Sequence, residues 1–152
     1  WLGKPLYIHT GTSPNPYTRM EPPYVDPLYL EESIKKYPGA IFIMGHSGYD
    51  SFLVKLTYLD SCIELAKKYE NVYIEPGALG SRKASEILPI YLKRMKEEGI
   101  IDRVIYGSDG PQFPGYTASH LNNMIDAMEE VGYTGLEMKA VLESNFERVF
   151  DL

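Results

Sequence analysis

Residues 40–46 read Ala40-Ile41-Phe42-Ile43-Met44-Gly45-His46, an apolar run that stops on a glycine and a histidine. A short continuous run of this kind is the pattern of a strand covered on both faces, as in a parallel sheet flanked by helices. Two further runs share the plan: Leu6-Tyr7-Ile8-His9 and Arg103-Val104-Ile105-Tyr106-Gly107-Ser108-Asp109. Each ends in a residue suited to metal or acid–base chemistry. Parallel strands of an α/β fold deliver their last residues to one common face, where such folds place their sites. His9, His46 and Asp109 are therefore expected to meet in space, although dozens of positions separate them.

Working outward, helical signals alternate with the runs. A strand over Pro5–His9 leads into a long Pro-, Tyr- and Gly-rich loop from Thr10 to Val25. Asp26-Pro27 marks a helix start, with Asp as N-cap and Pro at the first helical position, and the helix runs from Leu28 to about Tyr37. After the strand at Ala40–Met44, apolar spacing at Leu56, Leu59, Cys62, Ile63 and Ala66 predicts an amphipathic helix to about Tyr69. Val72–Glu75 is a third strand, closed by Pro76-Gly77, and a helix over roughly Ala84–Glu98 carries Pro89 in its first turn. Arg103–Tyr106 is the fourth strand, followed by a helix over about Ala118–Val131. Thr134 with Glu137, and Ser144 with Glu147, form two capping boxes that predict two short C-terminal helices. Four β-loop-α units in succession imply a parallel sheet within a single domain over residues 1–152.

Composition bounds the function. The 152 residues are 44% hydrophobic and 24% charged, the balance of an ordinary globular domain. A net charge of −6 with dispersed Lys and Arg argues against a nucleic-acid surface. No apolar stretch approaches the ~20 residues of a membrane span, and no signal-peptide pattern is present. The single cysteine, Cys62, excludes an internal disulfide and reads as a buried, reduced thiol in a cytoplasmic protein. Neither G-x-G-x-x-G nor G-x-x-x-x-G-K-[ST] occurs, so nucleotide binding has no support. The opening Trp1-Leu2-Gly3, with no methionine and a strand immediately after it, reads as a truncation.

Each candidate residue carries an alternative. His9 at a strand end is placed rigidly enough to ligate a metal, or simply to hydrogen-bond a neighbouring loop. His46 lies between Gly45 and Ser47-Gly48, where the backbone can approach a ligand closely or turn at positive φ. Asp109, following Val104-Ile105-Tyr106, needs a cation or a protonated partner unless it caps an Asx-turn. Glu75 shares the same face, and a salt bridge to Arg82 or Arg103 is its expected role; His120, on the last long helix, reads as a packing or surface residue. Tyr17, Arg19, Tyr49 and Tyr116 are candidates for pocket walls, with Arg19 suited to a substrate carboxylate. Gly45-His46-Ser47-Gly48-Tyr49 has the outline of a nucleophile elbow but lacks its second glycine. Ser47, Asp109 and His120 nevertheless follow the chain order of an α/β-hydrolase triad.

Taken as an ordered set, the segments Pro5-Leu6-Tyr7-Ile8-His9-Thr10-Gly11, Gly45-His46-Ser47-Gly48, Asn71-Val72-Tyr73-Ile74-Glu75, Arg103–Asp109 and Asn145-Phe146-Glu147-Arg148-Val149-Phe150 resemble the C-terminal half of the amidohydrolase-related family, which includes aminocarboxymuconate-semialdehyde decarboxylase-like enzymes and related metal-dependent hydrolases. The resemblance implies a portion of a TIM-type (β/α)8 barrel, with the four units as strands five to eight and helices at the C-terminus. It also implies a divalent metal, most often zinc, with His9 and Asp109 as ligands, Asp109 as general base, and His46 polarising a small-molecule substrate or binding a second metal. The implied reaction is attack of metal-activated water on a carbonyl, or metal-assisted C–C cleavage of a small carboxylic acid. The family's H-x-H pair from strand one is absent, so this polypeptide alone is expected to bind metal poorly. Two open sheet edges would favour association, either as a homo-oligomer or with the missing half-barrel. The competing readings are a non-catalytic half-barrel acting through association and a small serine hydrolase using Ser47.

Overall fold

The computed structural model describes residues 4–15, 17–81 and 84–152. Trp1-Leu2-Gly3 and Arg82, which carry two of the expectations above, lie outside them. Three strands, β1 (Leu6–His9), β2 (Phe42–Gly45) and β3 (Val72–Glu75), form a parallel sheet in the order β1-β2-β3. The register pairs Leu6 with Phe42 and Phe42 with Val72, so His9, Gly45 and Glu75 fall in one row at the C-terminal edge. That row positions the site.

The strand side chains alternate between two apolar clusters. Phe42, Met44, Val72 and Ile74 pack with Cys62, Leu65 and Leu92 from the helices, whereas Ile43, Tyr73 and Ile105 meet Val149 on the other face. Fully burying each such side chain stabilises the fold by roughly 1.5–3 kcal/mol. β1 is the exception, with Leu6 49% and Tyr7 55% exposed, because it is the sheet's edge. Cys62 is buried and free, as expected, and burial pushes its thiol up to about 12. At neutral pH that thiol is inert.

α1 (Pro22–Val25) and α2 (Glu31–Lys36) lie between β1 and β2, α3 (Leu59–Lys68) between β2 and β3, and α4 (Leu88–Glu97) and α5 (Tyr116–Val131) after β3, on either side of the fourth run. The short α1 interrupts the loop expected between Thr10 and Val25. Asp26 does cap: its side chain accepts the Leu28 N–H at 3.0 Å, but the chain then makes a 3-10 turn over Pro27–Leu30 before α2 begins. Among the described residues no helix is long and apolar enough to cross a membrane.

Two expectations are corrected. The run Arg103–Tyr106 is not a strand; it makes one parallel bridge, Val104 to Ile74. Its outer edge is occupied by helices: Tyr106 N–H donates to the Val141 carbonyl at 2.9 Å, and Asn145 Nδ2 donates to the carbonyls of Val104 at 2.7 Å and Ile101 at 2.9 Å. Backbone groups satisfied this way leave no ladder to extend. At the C-terminus, α6 (Gly135–Lys139) starts with the Thr134–Glu137 capping box. The Ser144–Glu147 box does not form, because a π-helical turn over Ala140–Ser144 runs straight into α7 (Asn145–Phe150) and Ser144 is itself helical. No helix begins there to be capped.

Asn145, 1% exposed, thus ties the fourth run to the C-terminal helices. Replacing it with alanine removes the donor to the buried Val104 carbonyl and one of two donors to the Ile101 carbonyl, which keeps the Val104 N–H, and Asn145→Ala is expected to lower unfolding free energy by about 1–3 kcal/mol. Urea denaturation checks this; an unchanged midpoint would show that the anchor is dispensable.

Candidate active site

A cavity of about 480 Å³ opens at the C-terminal edge of the sheet. His9, His46 and Asp109 all line it, so the structure brings the three sequence-predicted residues together. The His9 and His46 rings lie 4.4 Å apart between centroids and are tilted by 58°. Burial pushes the His46 imidazole below its ordinary range, and the neighbouring His9 adds to that effect while Asp109 opposes it. His9 is lowered too, chiefly through the covered part of its ring, against hydrogen bonding at Thr12 and the attraction of Asp109. Both imidazoles therefore stay neutral at physiological pH, the form that can ligate a cation or accept a proton. Asp109 is exposed to the cavity mouth and sits in a left-handed turn at φ 55°.

His46 and Ser47 both adopt positive φ, at 65° and 50°. Neither is glycine, so the turn stores strain that its surroundings must hold. Thr10 grips it from β1's loop: its hydroxyl donates to the Gly45 carbonyl at 2.8 Å and accepts the Gly48 N–H at 2.9 Å. Ser47 is fully buried, donates to the Glu75 carbonyl at 3.0 Å, and shares a 3.2 Å hydrogen bond with the Tyr91 hydroxyl. Its hydroxyl is a structural tie inside the core and is not presented to the cavity as a nucleophile would be.

Glu75 does not pair with Arg103, which corrects one of the two partners expected for it; the other, Arg82, lies outside the described residues. Arg103 turns away to Asp102 at 3.4 Å and to the Glu70 carbonyl. Glu75 is buried instead beneath the cavity, accepting Tyr7 Oη–H at 2.7 Å, the Gly77 N–H at 2.8 Å and the His46 N–H at 3.3 Å. Burial raises its carboxyl above the usual range, these donors oppose the rise, and Asp109 adds to it.

His120 takes the packing role. It is 1% exposed, accepts the Gly80 N–H on Nε2 at 3.1 Å, touches the Gly77 carbonyl, and its buried Nδ1 has no hydrogen-bond partner among the described residues. Tyr116 packs against it, away from the cavity wall. Tyr49 does line the cavity, whereas Arg19 is an exposed side chain stacked on Tyr24, and Tyr17 is 93% exposed. The other walls are Thr12, Ser13, Pro14, Ser51, Ala78 and Ser81. Their position in the loops directly after strand ends was the one available signal; small polar residues there have no spacing pattern. Among the described residues, no three His, Cys, Asp or Glu side chains are placed to hold a metal ion by themselves.

A family model for amidohydrolases matches residues 2–152. The chain belongs to the amidohydrolase family. Consistent with that membership, its fold is similar to a protein from Lactobacillus casei described as a metal-dependent hydrolase, with a TM-score of 0.71, 16% identity and coverage of 98% of this chain and 39% of that one. It is also similar to a protein from Acinetobacter baumannii described as a probable 2-pyrone-4,6-dicarboxylic acid hydrolase with citric acid bound (TM-score 0.68, 16% identity, 99% of this chain and 53% of that one). Among curated proteins, it is 27% identical over 128 residues to Protein fluG of Emericella nidulans, which covers 84% of this chain and 14% of that protein. This amidohydrolase-family chain thus spans about half the length of a solved relative and a small part of the curated one.

His120 supplies a pH dependence that can be measured. Burial, the largest effect on it, lowers its imidazole below the ordinary 6.5, so the unfolded chain takes up a proton at a pH where the folded chain does not. Its contribution to stability is present above about 6.5 and falls as pH drops from there toward the folded value. His120→Gln should therefore cost more stability at pH 7.5 than at pH 5.5 in urea titrations. An equal cost at both would contradict a buried neutral imidazole.

Proposed function

We propose that this chain carries the fifth to eighth βα units of a (β/α)8 barrel, the last of them the run that ends in Asp109 and makes a single bridge here, in a metal-dependent hydrolase or decarboxylase acting on a small carboxylic acid. The observation that carries the reading is the convergence of His9, His46 and Asp109 on one cavity at the strand ends of an amidohydrolase-family chain. A divalent cation, with zinc as the first choice, fits the donors present: His9 as a neutral imidazole and Asp109 as an exposed carboxylate would hold it. They are two ligands where a catalytic zinc usually takes three from the protein. The remainder is assigned to the H-x-H segment of the other half of the barrel, in line with coverage of 53% of a solved relative.

When bound, such a cation supplies Lewis-acid polarisation of a carbonyl and makes a neighbouring water more acidic. Asp109 stands at the cavity mouth to take the proton from water as it attacks. His46, neutral and close to His9, would donate a hydrogen bond to the carbonyl oxygen as negative charge develops there. The hydroxyls of Ser13 and Ser81 along the wall would orient the polar substrate, while the Thr12 hydroxyl holds Asp50 and the Ser51 N–H in place behind them. A solved relative described as acting on a 2-pyrone dicarboxylic acid supports a lactone or unsaturated acid as the substrate class.

In the whole enzyme, Asp109→Asn should lower turnover of such acids by about 10²–10⁴-fold with the fold intact by circular dichroism. His9→Ala should in addition lower the metal content found by elemental analysis. Near-normal turnover in Asp109→Asn would remove Asp109 from the base role.

A further inference from the structure

We infer that Glu75 is the positioning residue of this cavity, the group that sets the His46 imidazole against His9 by tying the ends of all four βα units to one buried carboxylate. The inference rests on the reading above only in taking His46 as a reacting group. Its basis is a set of contacts that no single local requirement explains.

Oε2 accepts Tyr7 Oη–H from β1 and the His46 N–H from the end of β2, while Oε1 accepts the Gly77 N–H from the turn after β3. The fourth unit reaches the same carboxylate by close approach: a Cβ on Gly107, two residues before Asp109, would collide with Oε1. Two more glycines keep the space open. A Cβ on Gly45 would strike the Tyr7 ring that carries the donating hydroxyl, and one on Gly77 would strike the His46 ring and Oε2. Three glycines, at the end of β2, in the turn after β3 and after the fourth run, therefore surround one acidic side chain and the tyrosine that reaches it.

The consequence for His46 is direct. Its φ of 65° is unfavourable for a residue with a Cβ, and the N–H it gives to Glu75 is the hydrogen bond that its own backbone makes toward the cavity floor. Thr10 holds the Gly45 carbonyl and the Gly48 N–H, and the Tyr49 N–H donates to the His46 carbonyl at 2.9 Å, which leaves the His46 N–H as the group that Glu75 secures. Without the carboxylate, the His46 N–H loses its acceptor, and the strain of its positive φ is opposed only by the bonds to the Gly45 and His46 carbonyls, so the imidazole is expected to shift relative to His9. Catalytic constellations need such supporting side chains, since a site an ångström too loose loses much of its rate.

The test uses the fact that the chain has three histidines, so imidazole NMR signals are few. In histidine-labelled protein the wild type should show a ring–ring NOE between His9 and His46, as their 4.4 Å separation requires. Glu75→Ala should abolish that NOE and shift both sets of signals, and Glu75→Gln, which keeps an acceptor for His46 N–H, should restore it at least in part. Asn145→Ala, which weakens the fold away from the cavity, should leave the NOE in place and so separates positioning from general instability. If Glu75→Ala fails to fold, Tyr7→Phe provides the second arm: losing one donor should displace the His46 signals in a folded protein. An undisturbed NOE with unchanged His9 and His46 signals in a folded Glu75→Ala, or in Tyr7→Phe, would overturn the inference. Because no metal, substrate or turnover enters, that failure is distinct from failure of the functional reading.

Discussion

A carboxylate taken out of water must be met by donors or give up its charge, because an unpaired buried ion costs several times what an ordinary contact returns. At the end of β3 this requirement reaches across the sheet. Glu75 is 5% exposed, and its donors come from β1, from the turn after β2 and from its own loop. Sheet register makes this possible: His9, Gly45 and Glu75 are paired neighbours in one row, so a side chain rising from Glu75 lies beneath the turn that presents His46. The walls of the cavity and the packing of the strand ends are thus one arrangement, and a change to either is felt by the other.

The same reasoning explains where strain is tolerated. His46, Ser47 and Asp109 are non-glycine residues at positive φ, and all three lie at the cavity end of the sheet. Ser47 is offset by its bonds to the Glu75 carbonyl and to Tyr91, and its neighbours by Thr10. Behind the next turn, His120 braces Gly77 and Gly80 from α5, with its ring filling the space that a side chain on Gly80 would need. Two layers of polar contacts therefore stand between the apolar core and the cavity, and each is buried enough for its hydrogen bonds to matter.

Much of this is legible in the sequence because it depends on periodicity and position. The apolar runs identify β1, β2 and β3, and the residue closing each run marks the common edge, which is why His9 and His46 can be named without their geometry. Asp109 is found by the same rule although its run forms only one bridge, because that bridge at Val104 is enough to aim the chain. What escapes is relational. Nothing local distinguishes a tyrosine that reaches a carboxylate 68 positions away from one that packs on the surface. Charge alone suggests an arginine for Glu75, whereas backbone N–H groups and a phenol meet the need. The Ser144 capping box has the right letters in a helix that does not start there, and the shift to π-helical geometry over Ala140–Ser144 has no sequence signature.

The exposed edge of the sheet and the floor of the cavity meet at one residue, Tyr7. β1 leaves its outer edge unpaired among the described residues, with Leu6 and Tyr7 half exposed, yet Tyr7 is the residue that steadies Glu75. An edge strand that carries a key donor and apolar surface is costly to leave open, since such edges invite pairing. Solvent reaches the sheet edge at the same residue that steadies the buried carboxylate, so a change at that edge is carried through Glu75 to the turn that presents His46.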